Sequence, residues 1–147
     1  MSQAVESLVN KLMILEREIA AEKGEFTLFG LFLPEDTISW DLVVTAPWIV
    51  KDRIAARHFL AGVLQSRLDL PELRELGGIH PLMDDWPFTT AAKNLPRVEH
   101  GRLAIGEFES PGRDFRKGYL ITNQWPDREP TGRPARARGV RSPGSIG

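Results

Sequence analysis

Apolar residues recur at alternating steps of three and four through the first two dozen positions. Val5, Leu8, Leu12, Leu15 and Ile19 make one stripe, Val9 and Met13 widen it, and Glu6, Lys11, Arg17, Glu18 and Lys23 fall on the far side. That period puts the apolar set on one helical face and predicts an amphipathic helix over residues 2 to about 23. Ser2 supplies an N-capping hydroxyl, and Gly24 can take the positive φ that ends a helix. The stripe suits two uses. It can cover the chain's own sheet, or its a/d alternation can form half of a helix–helix dimer seam.

The period then falls to two. In EFTLFGLFL, from Glu25 to Leu33, Phe26, Leu28 and Phe32 share one face while Phe29, Leu31 and Leu33 share the other. A strand apolar on both faces must be covered on both. Gly30 interrupts it, as a glycine does where a bulky neighbour crosses. Pro34-Glu35-Asp36-Thr37 is a turn, and Ile38 to Ala46 returns as the second strand of a hairpin. Ile38, Trp40, Leu42 and Val44 point one way, Ser39, Asp41, Val43 and Thr45 the other, and Pro47 closes the strand.

A second helix is expected over about 51–67, with Ala56, Phe59, Leu60, Val63 and Leu64 inward. Asp69-Leu70-Pro71-Glu72 reads as a capping box opening a short helix that stops at Gly77-Gly78. Ile79 to Met83 follows as a strand that Pro81 confines to an edge. Thr89 or Thr90 caps a brief turn over Ala91–Asn94, and two last strands, Arg102 to Glu109 and Lys117 to Thr122, flank Pro111-Gly112. The order α-β-β-α-(α)-β-β-β predicts a single α+β domain over 1–125. Its mainly antiparallel sheet has about five strands, with the N-terminal helix and the second helix packed on it. Residues 126–147 hold Pro, Gly, Arg and Ser with almost nothing apolar, so a disordered tail is expected.

Composition narrows the function. The 147 residues, 41% hydrophobic, suffice for one core. With no cysteine, disulfides, thiol nucleophiles and Cys-based zinc sites are excluded. No apolar run approaches the ~20 residues of a membrane span and no signal-like segment opens the chain, so a soluble, cytoplasmic protein is expected. The net charge of −1 conceals an asymmetry: Arg133, Arg136, Arg138 and Arg141 leave residues 1–129 with fifteen of the nineteen basic residues against all twenty acidic ones. An acidic body disfavours nucleic acid as its partner and leaves only a weak contact open to the Arg-rich tail.

Motifs for catalysis are sparse. The chain has no phosphate-cradling glycine loop, no GxSxG elbow and no HxxxH pair. His58 reads as a partly buried histidine bonded to a neighbour. Asp41 with His80, Asp84 and Asp85 is the best acid and imidazole set, and would serve a metal-assisted hydrolase or nuclease-like enzyme. No acidic-x-Lys pair follows Asp41 on a neighbouring strand, so Asp41 reads more readily as a residue of the less buried face. No metal or other cofactor is expected. The leading expectation is a protein–protein interaction or regulatory module without catalytic machinery, self-associating or binding a protein partner. Leu8, Leu12, Leu15, Phe29, Leu31 and Trp48 are its expected interface, with core packing the other reading of Trp48.

Overall fold

A computed structural model of the chain describes residues 3–125, so Ser2 and the 126–147 segment lie outside the described residues. The architecture is α+β around a six-stranded sheet. Helix α1 (Gln3–Lys23) precedes the hairpin β1 (Leu28–Pro34) and β2 (Trp40–Thr45). Helices α2 (Pro47–Lys51), α3 (Arg53–Arg67) and α4 (Leu70–Glu75) lead to β3 (Leu76–Pro81). The chain continues through α5 (Pro87–Ala92), β4 (Leu103–Ile105), β5 (Phe108–Ser110) and β6 (Arg113–Asn123). The strand order is β3-β2-β1-β6-β4, with β5 also paired to β6. No described helix is long and apolar enough to cross a membrane.

The sheet is mixed, where a mainly antiparallel one was expected. β3 runs parallel to β2 because three helices carry the chain back to the starting end before it re-enters the sheet. The sixth strand comes from the expected 102–109 segment, which divides: β4 pairs with Leu120 to Gly118 and β5 with Phe115 to Arg113. The expected 51–67 helix is α3, and a short further helix, α2, precedes it. Asp52 (φ −154°) separates the two, and its carboxylate accepts from the Ala55 N–H to cap α3.

Both sheet faces are covered within the one chain. On one side α1 and α3 pack on Phe29, Leu31, Leu33, Trp40, Leu42 and Val44. On the other, Ala92 and Phe88 of α5, Leu95, Val98 and Phe108 shelter Leu28, Phe32, Val43 and Leu120. Leu8, Leu12, Leu15, Phe29 and Leu31 are at most 2% exposed, so the residues expected to meet a partner are interior. The greasy helix face and the two-sided strand satisfy each other and the α5 layer. Trp48 is half-buried in α2, edge-on to Phe26 and Phe59, with Nε1 donating to the Gly24 carbonyl.

Local departures have local causes. Phe26 joins Phe29 rather than Leu28, because the strand begins two residues after it. Ile38 is 90% exposed, since the turn runs on to Ser39 and β2 starts only at Trp40. Gly77 and Gly78 lie inside β3 rather than ending α4, whose cap is Leu76. The short helix over 91–94 is α5, starting at Pro87, and the Thr89 hydroxyl bonds the Met83 carbonyl instead of capping. Gly30 is a crossing point as expected: a Cβ there would lie 2.8 Å from the Phe32 ring.

Candidate functional site

β3 is one edge of the sheet, with β4 at the other, and its backbone directions follow from two hydrogen bonds. Thr27 N–H donates to the Thr45 carbonyl (2.9 Å), so odd-numbered β2 residues face β1. Leu82 N–H donates to the Val44 carbonyl (2.8 Å), so even-numbered residues of β2 and β3 face each other. Alternation along the strand turns the Ile79 N–H and C=O and the Pro81 C=O away from β2. Proline at an outward position costs the ladder nothing, which is how an edge accommodates it.

Helix α3 runs beside this edge and a groove separates the two. A cavity of about 380 Å³ is lined by Ala61 and Leu64 of α3, Leu73 and Leu76, and the strand residues Gly77, Gly78 and Ile79. A second, of about 180 Å³, continues past Ile79 to His80, Pro81 and Trp86. Arg57 lines both, with Arg53 at the second and His58 at the first. Arg53, Arg57, Ala61 and Gln65 recur every four residues, so they form one rail along the helix. At ~1.5 Å per residue that rail is about 18 Å long, roughly the span of five extended residues.

The groove is apolar below and cationic at its rim. No carboxylate lines either cavity, and among the described residues Arg57 and His58 have no ion pair. Arg53 lies over the Trp86 ring, 5.1 Å from its centroid. The exposed His58 thus stands beside a cleft, where sequence placed it partly buried and bonded. Glycines at 77 and 78 keep the strand backbone bare of side chains. An added Cβ would meet Ser39 Oγ at 2.6 Å from Gly77 and His80 Nε2 at 3.0 Å from Gly78.

The acid and imidazole set comes together only in part. Asp41 (9% exposed) lies 3.4 Å from His80 Nε2 and 3.6 Å from Arg113 Nη1, a carboxylate between two nitrogen groups. Asp84 and Asp85 are exposed on the loop beyond β3, and the described residues contain no group of three or more His, Asp or Glu that could hold a metal ion. The pairing across adjacent strands supports a structural ion cluster. It does not assemble a metal centre.

A different cluster is more deeply built. Glu16, fully buried on α1, accepts from the Thr122 hydroxyl (2.8 Å) and lies 2.7 Å from His100 Nδ1. His100 Nε2 faces Glu25 at 2.9 Å, and its backbone sits in the left-handed region at φ 50°. The Glu16 hydrogen bond raises the His100 pKa; burial opposes this, and the charges of both glutamates add to the rise. The protonated ring is thereby favoured between two glutamates, and the contacts join the 98–101 segment to α1.

Comparison with known proteins brings no match: none to a protein family, to a curated protein or to a solved structure. The geometry has to carry the functional argument. Sequence alone missed the α3 rail, although the four-residue spacing of Arg53 and Arg57 beside an edge strand marked by Pro81 was its available signal. No local spacing signalled the Glu16–His100–Glu25 cluster, whose members are up to 84 residues apart.

Proposed function

We propose that this chain is a protein-binding module whose binding site is the groove between α3 and β3. One observation carries the reading: outward backbone groups of an edge strand, an apolar floor and uncompensated cations lie side by side in one shallow cleft. Natural sheets normally blunt such an edge. Here α3 packs beside it, and the cavities along their junction are lined by Gly77, Gly78, Ile79 and Pro81.

A photo-crosslinking residue placed at Gln65, on the rail, and separately at the fully solvated Ile38 tests this in cells expressing the chain. Discrete adducts from Gln65 that are absent from Ile38, and are lost when Ala61→Trp fills the groove of a still-folded chain, are expected. Equal labelling from both positions, or labelling indifferent to Ala61→Trp, overturns the reading.

A further inference from the structure

Resting on the binding reading above, we infer that the groove takes an extended, carboxylate-bearing segment of a partner protein, which adds as a strand to β3. The Ile79 N–H and C=O and the Pro81 C=O offer main-chain pairing, which gives strand addition its affinity without regard to side chain. Side chains supply the selection. Every second residue of an added strand turns toward α3, where Leu64, Leu73 and Leu76 offer an apolar floor. Toward the start of α3 the lining includes Arg53 and Arg57, neither in an ion pair among the described residues, while His80 beside them faces Asp41. A carboxylate there gains charge-assisted hydrogen bonds, and an arginine can grip it through two nitrogens.

Charge decides among the occupants available. A second copy pairing through the same edge would bring two sets of Arg53 and Arg57 together, like charges across a partly desolvated seam. The chain's own 130–147 segment carries four arginines and no acid, so the rim repels it as well. The body is otherwise acidic, with all twenty side-chain carboxylates in residues 1–129, yet none of them lines either cavity and Asp41 alone, against His80, lies close behind. An acidic segment from another protein is the complementary ligand.

The test is selection of random twelve-residue displayed peptides on the full chain, followed by affinity measurement of the recovered sequences. Recovered peptides are expected to be enriched in Asp and Glu over the starting library. Their affinity should fall about tenfold or more in the Arg53→Glu/Arg57→Glu variant, whose changes are at the rim of the groove, outside the core, and should weaken with added salt. Hydrogen exchange of the Ile79 amide should slow in the complex, as pairing at that N–H requires. Recovery of neutral or basic peptides, affinity unmoved by the charge reversal, an unprotected Ile79 amide, or no recovered binder each overturns the inference. So does a concentration-dependent dimer abolished by the same variant. If the Gln65 crosslinks persist while any of these occurs, the module reading survives and the acidic strand alone fails.

Discussion

His100 Nδ1 lies 2.7 Å from Oε1 of Glu16, a carboxylate with no solvent exposure 84 residues earlier in the sequence. The pair fastens the segment before β4 to α1, and Glu25 faces the other ring nitrogen. Because the folded state raises the His100 pKa above its ordinary 6.5, the protonated ring contributes stability that is complete below that value. The contribution is lost as pH rises through the raised pKa. His100→Asn retains a residue tolerant of left-handed backbone. In urea unfolding between about pH 5.5 and about pH 8.5, wild type should lose more stability than this variant; parallel profiles would contradict a stabilising Glu16–His100 pair.

Glu72 anchors α4 to α1 with the opposite sign. Burial pushes its carboxyl up, but hydrogen bonds from Lys11, Ser7 and the Asp69 backbone N–H outweigh burial and hold the pKa at about 2. Its stabilisation is present above the ordinary 4.5 and is lost as pH falls toward about 2. Glu72→Gln keeps the shape and removes the charge, leaving Lys11 with only Asp69 at 3.9 Å. A loss of about 2 kcal/mol at neutral pH is expected, shrinking with acidification. Denaturant midpoints across pH measure it.

Gly118 of β6 faces the Phe32 ring so closely that a Cβ would lie 2.8 Å from it and 3.0 Å from the Leu31 carbonyl oxygen. The carbonyl belongs to the central strand and cannot move aside. Gly118→Val should therefore cost about 1–3 kcal/mol through overpacking despite the better strand propensity of valine. A thermal midpoint no lower than wild type would contradict the close approach.

Leu12 sits in the core between α1 and the sheet with no exposed surface. Leu12→Ala should destabilise the chain by about 2–5 kcal/mol and leave its sedimentation behaviour as it is. A change of association state with little loss of stability would return the α1 stripe to an intermolecular seam.

Asp41 and His80 approach each other, yet Asp84 and Asp85 do not complete a metal-holding group with them. Mg²⁺, Mn²⁺ or Zn²⁺ should accordingly leave the melting temperature unchanged. A rise with metal concentration, reversed in Asp41→Asn, would revive the hydrolase alternative by mass action on the native state.

Much of this architecture is written in short-range pattern. The three-and-four stripe of α1, the alternation of β1 and β2, the Asp69–Glu72 capping box and the edge position imposed by Pro81 are all local, and the structure contains each. Periodicity states which side of an element is apolar. It does not state what lies against that side, which is why Leu8, Leu12 and Phe29 could be assigned to a partner until α1, α3 and α5 were seen to cover both faces.

The amino-acid order alone determined the α+β class, the first three long elements, the absence of cysteine chemistry and the charge contrast between body and C-terminal segment, since each follows from neighbours within a few turns or a few strand residues. Tertiary structure decided the parallel docking of β3, the insertion of β6 between β1 and β4, and the meeting of Glu16 with His100. It also decided that the rail of α3 lies along an open strand edge. These depend on contacts across tens of residues, whose choice is made by the packing free energy of the whole chain and leaves no trace in any single window.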